Sequence, residues 1–474
     1  MTTPDQIAPE RGITRRQLIN TAAAAGATAL APAAVAADLP QRGEFVVRNA
    51  IVISMDATLG DLARGDIHVR NGEIVAVATD VSPPGATAID ARGMIALPGL
   101  IDTHNHLWNA TCRSTVMEGP QKGYFPTVLA LGKEYTPEDT YHGVRLACAE
   151  LIHSGVTTVH DWAHNIRSPA HADADVRALI DCGIRGRFSY GTYQGGPPPD
   201  DTMDIADLER MHRGWSAFSN EGLLTLGMAS RSVSTSPRGA VTMAAIHRDW
   251  DAARTLKLPI TLHTGGRGIV EILEREGLLG PDVQLINTSN WDEADRARIA
   301  KSGAHVSITP HSEMRYSYAL PQFLELLKLG LKVSLAMDTA PVAGTMDMFC
   351  AMRLMMDTQF VRSRDPMSVT ARQVLEMATI NGAWDLGIAN RTGSLSPGKR
   401  ADLILVRTID LNMAPLGDPV TAIVRCAQPA NVDTVAVDGR ILKQGGRLTA
   451  LDPSEVVAKA TESLDGLKRR AGWA

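Results

Sequence analysis

The chain has 474 residues, 44% of them hydrophobic, which exceeds the size at which one core stops growing and predicts a soluble globular protein with a large domain and a smaller companion. Its 52 acidic and 47 basic residues leave a net charge of −5 with no block of like charge, which excludes a polyanion-binding surface, so nucleic acid is not an expected partner. Five cysteines, Cys112, Cys148, Cys182, Cys350 and Cys426, lack any CxxC spacing, which rules against a thiolate zinc site and a dense disulfide framework and leaves most of them as small buried hydrophobes.

In chain order, residues 1–36 come first. Arg15-Arg16 precede an alanine-rich run, and Ala34-Val35-Ala36 forms a small-residue cleavage site, so this segment resembles a twin-arginine export signal. That resemblance implies a periplasmic or secreted protein, delivered folded and able to carry any inserted cofactor. No other stretch reaches the ~18 apolar residues that span a bilayer, so no membrane contact is expected after the signal is removed.

From Phe45 the pattern turns to short β-rich runs, Phe45 to Ile53, Asp66 to Arg70 and Ile74 to Ala78, with Asn71-Gly72 as a hairpin turn. The same texture returns in Ala401 to Val406 and Val432 to Val437. Neither piece can bury a core alone, which predicts one composite β-sandwich domain built from residues 37–93 and 393–450. Residues 451–474 read as a helical tail.

Between the β-rich ends, over residues 94–392, short apolar runs alternate with longer helical stretches, the signature of βα units and a parallel sheet. The runs are Met94 to Leu100, Val156 to His160, Gly186 to Tyr190, Leu223 to Met228, Pro259 to Leu262, Val283 to Ile286, His305 to Ile308 and Lys332 to Ala336. That number predicts an α/β fold of the closed (β/α)₈ TIM-type barrel, whose active site lies at the C-terminal ends of the strands. Met346, Phe349, Met352, Met355 and Met356 recur at helical spacing and read as a core-facing stripe.

The first run leads into Asp102-Thr103-His104-Asn105-His106. Two histidines one residue apart on an extended strand share a face, and two neutral imidazoles are half of a typical transition-metal site, although an isolated pair of this kind is more often a surface feature. The flanking residues Pro98 to His106 resemble the amidohydrolase superfamily, particularly its cytosine deaminase and triazine hydrolase branch. The resemblance continues through Gly155 to Val159, Leu262-His263, Met337-Asp338 and Gly393 to Leu403, nearly the whole of the mature chain. It implies that His104, His106, His263 and Asp338 hold a metal ion. Two-metal relatives bridge their ions with a lysine or glutamate at the fourth strand, but Leu223 to Ser234 contains neither, so one divalent ion is expected, with zinc preferred and Fe²⁺ or Mn²⁺ as alternatives. Asp338 would serve the metal-activated water as general base and then general acid.

Two departures from the family pattern bear on chemistry. Deaminating relatives carry a glutamate three residues beyond the fifth-strand histidine, where this chain has Gly266, and a sixth-strand histidine where it has Asn287. Asn287 can hydrogen-bond but cannot act as acid or base. Other groups near strand ends are candidates to fill these roles: His164, in an Asp-Trp-x-His element resembling one in a less characterised subgroup, as a catalytic residue, and Asn290, His311 and Arg315 beside Asn287 as substrate contacts. His160 and His305 lie away from the mouth and read as packed or solvated. The expected activity is hydrolysis of a C–N bond in a small cyclic or amide-like molecule. A non-hydrolytic decarboxylation or elimination and a catalytically silent exported binding protein stand as rivals, and self-association is left open.

Overall fold

The computed structural model describes residues 39–473 apart from 117, 118, 120, 121, 194, 234–240, 317 and 318, so the export signal expected over 1–36 lies outside the described residues. Among the described residues seventeen strands form two sheets. The smaller domain contributes β1 (Glu44–Val52), β2 (Leu62–Arg70), β3 (Glu73–Ala78), β4 (Thr87–Asp90) and β5 (Met94–Pro98). The barrel contributes β6 (Leu100–Asn105), β7 (Val156–Ala163), β8 (Arg185–Tyr190), β9 (Leu224–Ala229), β10 (Ile260–His263), β11 (Val283–Ile286), β12 (His305–Ile308) and β13 (Val333–Leu335). The chain returns to the smaller domain with β14 (Leu403–Arg407), β15 (Val432–Val437), β16 (Arg440–Gln444) and β17 (Arg447–Leu448), then ends in a helix over Pro453–Ala471.

The two chain ends do meet in one sheet. Its order is β17-β16-β15-β14-β5-β1-β2-β3, with β4 paired to β1, and its joint between the ends is the antiparallel pairing of β5 with β14 from Leu403↔Pro98 to Arg407↔Met94. The sheet is mixed, because β4 and β5 both run parallel to β1. Phe45, Val47, Val52, Ile67, Val69, Leu403 and Leu405 fill its own core. A buried ion network ties it to the barrel: Arg185 of β8 donates to Asp402 at 2.5 and 3.1 Å and to Asp438 at 3.1 Å.

The run from Met94 to Leu100 does not open the barrel as a unit. Met94–Pro98 belongs to the smaller sheet and the first barrel strand starts at Leu100. A continuous apolar run is compatible with either sheet, so periodicity could not divide it. The division falls at Gly99, where an added Cβ would stand 2.1 Å from the Thr157 side chain. The chain can pass between the two sheets there because nothing projects from that residue.

The eight barrel strands are parallel and neighbour one another in chain order. β13 and β6 close the ring just beyond the end of β13, through a bridge between Asn105 and Asp338. His106 N donates to Asp338 O at 2.7 Å, and Asp338 N donates to His104 O at 2.9 Å. The ring-closing seam therefore runs through residues expected to hold the metal. Beneath the mouth a buried polar network packs the barrel: His160 bonds Thr103 O at 3.0 Å and Ser189 Oγ at 2.7 Å, and Gln284 donates to Asp385 Oδ2 at 2.7 Å. His160 is thus packed, and His305 lies flat on Trp384 with ring centroids 4.2 Å apart. The Met346 to Met356 stripe is buried along the helix Met348–Ser363 and just before it.

Candidate metal centre and substrate cavity

His104 and His106 leave β6 on one face, and both reach the same carboxylate oxygen. Asp338 Oδ1 lies 3.4 Å from His104 Nε2 and 3.2 Å from His106 Nε2. His263, at the end of β10, brings its Nε2 to 3.1 Å from His104 Nε2. Among the described residues these four form a group whose ligand atoms all lie within 4.8 Å of one another. Four ligands each about 2.0–2.1 Å from a zinc ion would stand roughly 3.4 Å apart along a tetrahedron's edges, and three of the separations here are close to that.

The donor set has the right chemistry for a cation. Two imidazole nitrogens facing each other at 3.1 Å cannot both carry protons, and burial holds His104 down to about 4 and His263 well below the ordinary histidine value. His106 donates from Nδ1 to Trp162 O at 3.0 Å, which fixes the tautomer and leaves Nε2 as a lone pair. Oδ1 of Asp338 converges on the same point as these ring nitrogens, a carboxylate oxygen among imidazole lone pairs. The Asp338 backbone is left-handed, φ 71°, a conformation few residues other than glycine adopt, and it is kept there by the two seam hydrogen bonds. Asp102, buried below, accepts from Asn105 Nδ2 at 2.7 Å and Met337 N at 3.1 Å and so couples β6 to the turn bearing Asp338.

The ligands open onto a cavity of about 410 Å³, walled by Tyr124, Phe125, Trp162, Tyr193 and Tyr316 and edged by Gly265, Gly266 and Ile269. Aromatic residues make up 4% of the chain, so five in one cavity mark a concentrated site for a flat or apolar ligand.

His164 lines this cavity beside His106, with ring centroids 4.1 Å apart. Trp108 Nε1 approaches its Nδ1 at 3.2 Å, while Trp162 O lies at 3.3 Å from the same atom. An indole N–H can only donate, so Nδ1 is the acceptor and the ring proton sits on Nε2. Burial first, then the neighbouring His106 and His263, hold His164 well below its ordinary value, and the ring is neutral at pH 7.

Asn287 also lines the cavity, donating from Nδ2 to Thr309 Oγ1 at 2.6 Å in a left-handed backbone of φ 70°. The other three sequence candidates are not brought to it. Asn290 turns its amide to Gly265 O at 2.5 Å, and His311 and Arg315 lie on the short helix Pro310–Arg315, outside the described lining. The reason is Glu313 on that helix: its buried carboxylate receives the backbone and hydroxyl of Thr288, the Ser289 hydroxyl and Thr309 N, so the segment is used to fasten the loop after β11. At Gly266 a Cβ would meet Ile269 Cδ1 at 2.8 Å, so an apolar side chain fills the space beside this glycine.

Sequence reasoning missed Arg231 and the aromatic wall. Arg231 follows β9 and lines the cavity with its side chain 5% exposed, paired to Asp249 on the helix Met243–Thr255. The signal available was an arginine two residues past a barrel strand, on the face where such enzymes build their sites.

The Amidohydrolase family profile matches residues 95–442. Similar proteins include the 5'-deoxyadenosine deaminase of Methanosarcina mazei, 28% identical over 439 residues that make up 90% of this chain and 99% of the relative. Another is the 5-methylthioadenosine/S-adenosylhomocysteine deaminase of Acetivibrio thermocellus, 27% identical over 87% of this chain and 96% of the relative. Among solved structures, an adenosine deaminase from Xanthomonas campestris with bound zinc shares the fold at a TM-score of 0.79 and 21% identity, covering 91% of this chain and all (100%) of that one. The zinc complex of atrazine chlorohydrolase from Arthrobacter aurescens matches at 0.77 and 21% identity, covering 89% of this chain and 100% of that one.

Proposed function

The chain belongs to the amidohydrolase family, and from that premise we propose that it cleaves a C–N bond of a cyclic or amide-like small molecule, with Asp338 carrying the proton from the attacking water to the leaving nitrogen. The enzyme is a metal-dependent hydrolase of carbon–nitrogen bonds other than peptide bonds. The observation that carries the reading is the place of Asp338: it is the one acid among the described lining residues, and it sits against two imidazoles of the ligand group.

His104, His106, His263 and Asp338 would hold one divalent ion, for which zinc is proposed from the imidazole-rich donor set and the lack of a bridging lysine or glutamate on β9. When bound, such an ion is a Lewis acid that lowers the pKa of water toward about 7. The chain's own groups do the rest. Oδ1 of Asp338 faces the ligand imidazoles, which leaves Oδ2 to hold a proton in transit. His164, neutral and protonated on Nε2, offers a hydrogen bond to the oxygen that gains charge as the carbonyl is attacked. The aromatic wall excludes water and flattens the substrate against the site.

The named relatives deaminate adenosine-type molecules, but the purine assignment is not carried over. Gly266 and Ile269 provide no acid to protonate a ring nitrogen, and Asn287 replaces a titratable group. A carboxamide or lactam needs neither, because its leaving nitrogen can be protonated from Asp338. Decarboxylation and passive binding are not favoured by kinship with hydrolases. The test is a panel of amides, lactams and aminated heterocycles incubated with zinc-loaded enzyme in ¹⁸O water. The expected product gains one water and carries the label in its new carboxyl or carbonyl group; release of carbon dioxide without label would overturn the reading.

Export by the twin-arginine route is proposed on Arg15-Arg16, the alanine-rich run and Ala34-Val35-Ala36. Changing Arg15 and Arg16 together to lysine should leave the protein folded and active inside the cell while export falls to background. Undiminished export would refute the proposal.

A further inference from the structure

Arg231 is a buried cation that faces the substrate cavity. Its side chain is 5% exposed, and its Nε donates to Asp249 Oδ2 at 2.9 Å, with Nη2 2.7 Å from the same oxygen. Asp249 is itself anchored, its other oxygen accepting Met203 N at 2.9 Å. The guanidinium is therefore gripped from one side, and among the described residues Nη1 has no hydrogen-bond partner. By contrast, the buried Arg185 spends its hydrogen bonds on Asp402 and Asp438. A buried donor left unpaired is costly unless something arrives to accept from it. Here the free edge belongs to a residue lining the substrate cavity, where Arg231 is the one permanent cation among the described lining residues and Asp338 the one acid.

We propose that this cavity takes an anionic substrate: a flat amide whose C–N bond lies at the metal ligands and whose carboxylate is received by the free edge of Arg231. The inference rests on the hydrolytic reading above and narrows its substrate class. A guanidinium fixed side-on presents two parallel N–H groups from its remaining edge, the geometry that a planar carboxylate accepts. Charge selects a carboxylate over a phosphate ester. One cation already shared with Asp249 suits a single negative charge, whereas a dianion would need further donors, and no lysine or second arginine lines the described cavity. The walls fit the same molecule, since Tyr124, Phe125 and Tyr316 cluster with ring centroids 5.3 to 5.6 Å apart and would cover an aromatic or unsaturated body between its two polar ends.

The experiment compares three probes on zinc-loaded enzyme by calorimetry: 4-acetamidobenzoate, its methyl ester, and phenyl phosphate. The wild type should bind the acid at least about tenfold more tightly than the ester, a difference of one charge-assisted contact. Arg231→Met alone would strand the buried Asp249, so the decisive variant is Arg231→Met with Asp249→Asn, which keeps an acceptor for Met203 N. In that variant the preference for the acid should vanish while ester affinity, zinc content and melting temperature stay near wild type. A wild type that binds the acid no better than the ester, weak or undetectable binding of both included, overturns the proposal, as does a preference that survives the double change. Tighter binding of phenyl phosphate than of the acid overturns the carboxylate assignment. Turnover is read separately by product mass, so an acid preference without hydrolysis would sink the hydrolytic reading alone.

Discussion

The two sides of the barrel mouth are built by different means. On the β6–β13 side, His104, His106 and Asp338 are set by backbone hydrogen bonds of the ring-closing seam, and Asp102 and Asn105 tie that seam from below. On the opposite side, after β9 to β12, Arg231, Gly266 and Asn287 sit in loops held by side chains: Asp249 grips Arg231, Thr309 takes the Asn287 amide, and Glu313 fastens the β11 loop. A site that must hold an ion within tenths of an ångström is placed on rigid strand ends, whereas the part that meets a substrate stands on segments that can change without disturbing the ion. The family's deaminating acid groups are missing only from the second side.

That contrast predicts that damage to the seam side abolishes the enzyme. His104→Ala should remove the metal and reduce turnover to background, since one of four ligands and the neighbour of two others disappears. Asp338→Asn should keep the fold and much of the metal, because the amide still offers an oxygen, but lose about 10² to 10⁴ in kcat with its proton carrier gone. Metal analysis together with kcat separates the two. Wild-type turnover by a metal-loaded Asp338→Asn would remove the proton-carrier role.

His164 stands between the two sides, on a strand end but facing the substrate. His164→Gln should leave metal content unchanged and lower kcat by about 10- to 100-fold, less than the loss typical of a well-placed oxyanion donor because a glutamine amide can donate in its place. A rise in KM with kcat untouched would instead make His164 a ground-state contact.

This contrast also marks what could be read from the sequence. The four-residue cluster was legible because strand periodicity puts His104 and His106 on one face and the family motif names His263 and Asp338. The barrel was legible because apolar runs alternate with helical ones, although the same logic could not see that Met94–Pro98 serves the other sheet. The substrate side was not legible: Arg231 matters through its pairing with Asp249, and Tyr124 and Phe125 matter because the fold brings Tyr316 to them. Such relations are tertiary, with no local spacing to announce them. The place of His311 and Arg315 outside the described lining was not legible for the same reason, since the residue that fastens that helix is the buried Glu313 between them.

Glu313 gives a pH test of the loop side. Burial pushes its carboxyl up from 4.5 to about 7, with the hydrogen bonds from Ser289, Thr309 and Thr288 pulling the other way. A carboxyl whose folded value is raised binds its proton more tightly in the fold than in the unfolded chain. Its contribution is therefore fully present below pH 4.5 and is lost as pH rises through about 7. Relative to Glu313→Gln, the wild type should lose melting temperature between pH 5 and 8, on the order of a few degrees. A difference between the two proteins that stays constant across that range would show that Glu313 is ionised throughout.

The smallest effect is expected at Asn287, the cavity residue that replaces a titratable histidine of the deaminating relatives. Its backbone is left-handed and its amide is spent on Thr309, so two properties must be separated. Alanine would strain the backbone and remove the amide together, whereas glycine accepts the positive φ freely and removes only the side chain. Asn287→Gly should therefore stay folded, retain its metal and keep kcat, while KM rises by about three- to tenfold, the cost of one neutral hydrogen bond to substrate. If kcat fell by about 10² or more instead, Asn287 would be acting on the transition state, and the division between an essential seam and an adjustable loop side would have to be redrawn to place the loop after β11 with the catalytic half.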